Sequence, residues 1–343
     1  MLPAENGGEA QAPGADRPRV VSLLPSATEI LCAIGGAHLL VGRSHECDFP
    51  ENVVRSLPVL TSAKTSFVSS SQIDADVRAR LSSGESLYRL DTAMLARLRP
   101  DVILTQDLCG VCSINLDAVR AVAGQLSPAP TIISLNPSTM EDVLDDHLRV
   151  GEAVGLLAVA EAAVVEMRER MYAASDFVPH FAGGPAVAFL EWTDPLFVGG
   201  HWTPQLIERA GGHHPLNPTA PIDRSGAAAG PIGQTLRAAG KSVRVPPEVL
   251  VATRPDIVIV CPCGLTLEQT RREARALSEQ PWWKELPAVR TGRVALVDGN
   301  QMFNRPGPRL VDAFEFLVGL LNDRPEVVPV DFPWRRWSEA GER

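Results

Sequence analysis

The sequence predicts two parallel-sheet α/β lobes joined by a single long helix, with a ligand cleft between them. Three observations carry this. The first is a repeat: "RPDVILTQ" at 99–106 reappears as "RPDIVIVC" at 254–261, and a helix-like segment ("DTAMLARL", "PPEVLVAT") precedes each copy. The second is that short β-branched runs alternate with amphipathic segments, the pattern of parallel sheets covered by helices. The third is a stretch near 156–175 with no Gly or Pro, rich in Ala, Glu, Val and Met. At about 1.5 Å per residue a helix of that length reaches some 30 Å, enough to bridge two lobes rigidly.

The elements follow in chain order. Residues 1–18 are rich in Gly, Ala, Pro and acidic residues and read as a disordered lead-in. The amino-terminal lobe spans 19–137. It opens on the strand "RVVSLL" and a helix "PSATEILCAI" starting near Pro25 or Ser26. The RPD turn breaks the chain before the next strand. A helix around 115–124 and the strand "TIISL" complete the lobe. Connecting helices occupy 138–178, with a capping-box spacing at Ser138 and Glu141 and a stop at Gly155. The carboxyl-terminal lobe, 179–322, holds "AVAFLEW", the second RPD strand, "RVALVDG" and a closing helix "RLVDAFEFLVGLL". Residues 323–343 read as a tail.

Composition narrows the function. A net charge of −9 across 343 residues argues against nucleic acid or an anionic membrane as partner. No apolar run approaches a transmembrane span. The amino terminus has no cationic start or apolar core, so no secretory signal is expected and the chain is expected in the cytoplasm. No Ser–His–Asp order, phosphate loop or dinucleotide fingerprint appears.

The repeat locates the cysteines. Ligands of open parallel sheets sit beyond the strand carboxyl ends. Cys109 and Cys112 follow the first RPD strand; Cys261 and Cys263 end the second. Cys47 follows another apolar run. Five thiols are thus expected to face the cleft. CGVC and CPCG together supply four ligands for zinc or an iron–sulfur cluster. A redox pair at Cys109 and Cys112, or plain apolar filling, are the other two readings.

The order "RVVSLLPSATEI", "HECDFP", "RPDVILTQ", "FLEWTDPLFVGGHW", "AGG", "RPDIVIV", "VDGNQMFNRPGPRL" resembles class III substrate-binding proteins of ABC transporters, the cobalamin-binding branch. The likeness covers about 19–322 and suggests a cytoplasmic, cysteine-bearing offshoot. It implies capture of a corrinoid such as cobalamin, or another metal chelate, with no enzymatic step required. It also implies pocket residues at the strand-end loops: Cys47, Asp48, Phe49, Gln106, Trp192, Phe197, His201, Trp202, Asn300, Phe303 and Arg305. The missing leader argues against contact with an ABC permease.

Several residues keep two readings. Trp192 and Trp202 suit a flat apolar wall for a macrocycle or simple packing. His201 in "VGGHWTP" suits an axial ligand or a hydrogen-bonded loop histidine. Arg305 and Arg309 suit an anion or amide-rich edge, or a rigid turn with Arg309 in solvent. Glu46 and Asp48 read as loop structure or ligand hydrogen bonding. His213 and His214 read as a surface loop.

Overall fold

The computed structural model describes residues 17–65, 67–83, 86–107, 114–179, 183–222 and 236–338. Residues 1–16 of the lead-in, the CGVC pair Cys109 and Cys112, and the last five residues lie outside them. Among the described residues the amino-terminal lobe runs β1 (Val20–Ser22), α1 (Pro25–Ala33), β2 (Leu40–Arg43), α2 (Glu51–Val54), β3 (Thr61–Ala63), α3 (Ser70–Ser82), β4 (Tyr88–Leu90), α4 (Thr92–Leu98), β5 (Val102–Thr105), α5 (Leu116–Ala123) and β6 (Thr131–Ser134). Two helices, α6 (Met140–Val154) and α7 (Leu157–Ser175), lead out of it. The other lobe runs β7 (Val187–Thr193), β8 (Leu196–Val198), α8 (Trp202–Arg209), β9 (Ala220–Pro221), β10 (Arg237–Ala238), β11 (Val243–Arg244), α9 (Pro247–Ala252), β12 (Ile257–Val260), α10 (Leu267–Ser278), α11 (Pro287–Arg290), β13 (Val294–Val297), α12 (Leu310–Leu321) and β14 (Trp334–Arg336).

The first sheet is parallel throughout, in the order β2-β1-β5-β6. The second is mixed, β11-β8-β7-β12-β13-β14, where sequence reasoning expected a parallel sheet. Strands β7, β12 and β13 pair in parallel; β8, between β7 and β11, and β14 at the far edge run against them, while β11 pairs antiparallel with β8. The expected tail thus supplies β14, and Phe332 and Trp337 enter the core. Strand β12 is buried at every position. Ile257 and Ile259 pack toward α7 and α12, while Val258 and Val260 pack toward α10 and Trp283. Burial on both faces explains why its sequence is uniformly apolar instead of alternating.

The RPD repeat has one physical role in both lobes. Arg99 and Arg254 adopt the left-handed conformation, with φ of 45° and 47°. Each ends a helix and redirects the chain into a central strand. Asp101 then accepts the backbone N–H of Arg19 at 2.7 Å, and Asp256 that of Ala186 at 2.9 Å. Each aspartate therefore satisfies the donor just ahead of the neighbouring strand and pins its start.

Both connecting helices, not one, join the lobes. Ala160 near the start of α7 lies in the first lobe's core; Val164, Met167, Met171 and Ala174 lie in the second's. In α6, Val150 and Val154 belong to the first core, Met140, Val143 and Leu144 to the second. The helices meet closely: a Cβ on Gly151 would lie 2.5 Å from that of Ala160. Gly155 closes α6 at φ 75°. The capping box is Thr139 with Asp142, one position beyond the expected pair, because Thr139 is the residue in extended conformation.

Asp146 and His147 are both buried on α6, and Asp146 Oδ2 and His147 Nε2 have no hydrogen-bond partner. Burial pushes the Asp146 carboxyl up to about 7, against the pull of Arg149. It pushes the His147 imidazole down to about 4. In the folded protein both are therefore neutral between about pH 4 and 6.5, whereas in the unfolded chain both are charged. Over that window Asp146 binds its proton more tightly in the folded state, so it favours folding as pH falls. His147 binds its proton more tightly in the unfolded state, so it opposes folding as pH falls. The two slopes, each up to about 1.4 kcal/mol per pH unit, offset each other. Urea unfolding from pH 6.5 to 4 should show Asp146→Asn losing stability faster than the parent. His147→Gln should lose it more slowly. Parallel pH profiles for all three proteins would refute this reading.

Candidate functional site

The parallel strands of both lobes present their carboxyl ends to the space between the lobes. Among the described residues two sets of contacts cross that space, one at the end of β13 and one at the end of β7.

At the β13 end, the loop 298–309 meets α1 and the loop after β2. Glu29, only 2% exposed, accepts two hydrogen bonds from Arg309, at 2.8 and 2.5 Å, and one from Arg305 at 3.1 Å. Arg305 also donates to both carboxylate oxygens of Asp48, at 2.5 and 3.1 Å. Asn300 donates to Asp48 and accepts from Arg305. Arg309 adds a bond to Gln301, and its guanidinium lies 4.5 Å from the centre of the Phe49 ring. Burial works against the Asp48 charge, but the bonds from Arg305 and Asn300 hold its carboxyl below the usual carboxylate range. Two acids and two bases thus form a neutral, cross-lobe network. Arg309, open to solvent in one sequence reading, is buried because Glu29 rises to meet it from the opposite lobe.

At the β7 end, residues that hang from the β3–β4 hairpin reach the other lobe. Ser70 Oγ donates to Glu273 of α10 at 2.5 Å, and Thr193 Oγ1 donates to Ser70 Oγ at 2.9 Å. The Trp192 indole donates to the Ser70 carbonyl at 3.3 Å and to the Asp194 carbonyl at 3.1 Å. Phe67 stands edge-on to Trp192, with ring centres 6.4 Å apart. Phe197 is half-buried opposite Trp192 on β8. Thr193 and Glu273 also border an open groove of about 810 Å³ on the flank of the second lobe, walled by Pro246, Pro247 and Trp282.

Between these contacts the first lobe offers His45, Glu46 and Tyr88. His45 Nδ1 shares a hydrogen bond with Thr61 Oγ1 at 2.8 Å, and the Tyr88 hydroxyl donates to Glu46 at 3.2 Å. Burial raises the Glu46 carboxyl, which the Tyr88 bond partly opposes.

Asp48, Phe49, Asn300 and Arg305 come together as one cluster, and Trp192 lies at the other contact. Two of the five cysteines, Cys47 and Cys261, do not line the cleft as expected, and Cys109 and Cys112 lie outside the described residues. Cys47 is fully buried in the first lobe against Thr28 at 3.0 Å, and burial pushes its thiol up to about 11. Cys261 is fully buried in the second lobe's core beside Met302 and Asn304, and burial raises its thiol well above the ordinary value. An uncharged, enclosed thiol is neither a ready ligand nor a nucleophile. Cys263 is half-exposed at the end of β12. Among the described residues no group of three or more His, Cys, Asp or Glu is placed to hold a metal ion. The zinc or iron–sulfur reading therefore has no support from them.

Two expected wall residues are core residues. Trp202 is 6% exposed and donates its indole N–H to the Phe303 carbonyl at 2.7 Å. Phe303 is 1% exposed and packs edge-on against Phe189, Phe316 and Phe332. His201 sits beside the middle of β7, not at its end: Gly199 N–H bonds to Phe189 O and His201 N–H to Gly240 O. It stacks on Trp202, and burial lowers its imidazole, aided by Lys241. Gln106 is buried just after β5. Of the histidine pair, His213 is exposed, but His214 is buried and bonds the Val187 carbonyl, against the surface-loop expectation.

Sequence reasoning missed Glu29, Ser70 and Glu273. Glu29 had one visible signal, a lone acid inside the otherwise uncharged helix "PSATEILCA". Ser70 and Glu273 had none, since each lies in a polar helix whose neighbour is 203 residues away.

A model of the family described as periplasmic binding protein matches residues 20–300. A protein named cobalamin-binding protein from Halobacterium salinarum is 25% identical over 297 residues, 86% of this chain. The chain spans 66% of the length of that relative. Among solved structures, a periplasmic heme-binding protein from Roseiflexus sp. RS-1 matches 90% of this chain and 99% of its own, with 20% identity and a TM-score of 0.62. A periplasmic vitamin B12 binding protein of Vibrio cholerae matches 90% of this chain and 98% of its own, with 18% identity and a TM-score of 0.60. The fold of this chain is the fold of those structures.

Proposed function

The chain belongs to the periplasmic binding protein family, and from that premise we propose that it holds a corrinoid, cobalamin or a close relative, between its lobes. Binding of a small-molecule ligand rests on the family; the choice of corrinoid is the finer step. One observation carries it. Both arginines at the cleft, Arg305 and Arg309, are already neutralised by Glu29 and Asp48. Haem brings two carboxylates, which need free cations. A corrinoid brings a rim of neutral amides, which need mixed donors and acceptors, together with broad apolar faces. Asn300, Gln301, Tyr88 and Glu46 are groups of the first kind; Trp192, Phe67 and Phe49 suit the second. The relative from Halobacterium salinarum, by its name, points the same way.

Calorimetric and absorbance titration with cyanocobalamin, and separately with hemin, tests this. One cyanocobalamin per chain is expected, at a Kd of about 1 μM or tighter. Trp192→Ala should weaken it by roughly tenfold or more, as loss of a buried aromatic anchor does. Tighter binding of hemin than of cyanocobalamin would overturn the corrinoid assignment, and binding of neither would overturn ligand capture of this class.

A further inference from the structure

We propose that residues 67–83 form a strap that closes the β7 side of the cleft, latched by Ser70 to Glu273 and Thr193, and that its release admits the ligand. The proposal rests on the ligand-capture reading above and adds how the ligand gets in.

The stiffness of the frame makes a mobile cover necessary. Helices α6 and α7 are built into the cores of both lobes, and Glu29, Arg305 and Arg309 tie the lobes together at the β13 side. Rocking one lobe against the other would disrupt both packed cores. Entry is cheaper through an element that belongs to neither core.

The strap is such an element. Its two ends meet at the base, where β3 pairs with β4 and Lys64 N–H bonds to the Leu87 carbonyl at 2.9 Å. From that hinge it crosses to the opposite lobe. Among the described residues none of 67–83 belongs to a hydrophobic core cluster. Ser71, Gln72, Ala75, Asp76, Arg78 and Ala79 are exposed, and Val68 is 67% exposed. What holds it is a small polar latch around Ser70, itself 1% exposed, whose hydroxyl lies among the Glu273 carboxylate and the Thr193 hydroxyl. The Thr193 hydroxyl also lies 2.5 Å from the same carboxylate oxygen, so its one proton is shared between that oxygen and Ser70 Oγ. A segment tied by a few hydrogen bonds and one edge-on ring contact, Phe67 on Trp192, opens at lower free energy than a packed core, which stays intact. On closing, it sets Phe67 against Trp192, the aromatic pair the ligand would meet.

Stopped-flow mixing with cyanocobalamin tests the gate. Ser70→Ala and Glu273→Ala should each raise both the association and the dissociation rate, by roughly tenfold where a charge-assisted bond is lost. The pair Ser70→Cys with Thr193→Cys, once oxidised, should slow both rates at least about tenfold, the size of one such bond, and reduction should restore them. Without ligand, amide hydrogen exchange over 71–83 should speed up in Glu273→Ala while β12 and α12 keep parent rates. If cyanocobalamin binds but the rates are the same in all variants, the strap is not a gate and ligand capture stands. Unchanged exchange over 71–83 also overturns the latch. If no variant and no parent protein binds, ligand capture fails and the gate falls with it.

Discussion

Glu29→Ala is expected to lower stability by about 3–5 kcal/mol, the largest loss of any single change at the cleft. The carboxylate is almost fully enclosed and takes three hydrogen bonds from two guanidinium groups. Arg305 and Arg309 are themselves 6% and 8% exposed. Removal of Glu29 leaves Arg309 with no carboxylate and Arg305 with only Asp48, both out of water. That desolvation is what makes one-sided loss expensive. A surface pair gives the contrast: Arg55 and Glu51 are 83% and 80% exposed, and a pair of that kind contributes about 0–1 kcal/mol. Urea unfolding of Glu29→Ala beside Arg55→Ala measures the difference directly. Equal losses in the two variants would mean that the network is solvated and does not tie the lobes. Joint replacement of Glu29 and Arg309 by apolar residues of similar length should recover part of the loss, since no lone charge remains.

Phe303→Ala is the second large effect, again about 3–5 kcal/mol, and it decides a question of role. The residue precedes Asn304 and Arg305 in the cleft loop, where sequence reasoning made it a ligand contact. Its ring instead points down among Phe189, Phe316 and Phe332, with the nearest ring centre 4.9 Å away. Truncation opens a cavity in the second lobe's core, so the expected outcome is lost stability with corrinoid affinity of the folded protein little changed. Trp192→Ala should do the reverse. Denaturation and titration of both variants separate the roles. Weakened binding with parent stability in Phe303→Ala would return Phe303 to the pocket wall.

Much of this protein is legible in its sequence. The paired RPD turns set the two lobes, because an apolar run preceded by a helix and a Pro break has few other outcomes. The run 156–175 forms α7 for the same local reason: it has no residue that ends a helix. Asp48, Asn300 and Arg305, which the family resemblance put at strand-end loops, meet as one cluster between the lobes. The strand-end rule, applied to the cysteines, fails for Cys47 and Cys261, since a residue at a strand end can point up into the cleft or back into the core. Small apolar thiols satisfy the core, and their sequence positions are silent on direction.

Local sequence thus determined the elements, their order and the two-lobe plan, since propensity, breakers and apolar periodicity act within about twenty residues of chain. Only the tertiary structure decided which polar groups meet across the gap: Glu29 with Arg309 at a separation of 280 residues, and Ser70 with Glu273 at 203. Those pairings depend on how two sheets, each correct by itself, are held face to face by α6 and α7. The physical reason is that charge and hydrogen bonding act between neighbours in space, and neighbours across the cleft share no local pattern.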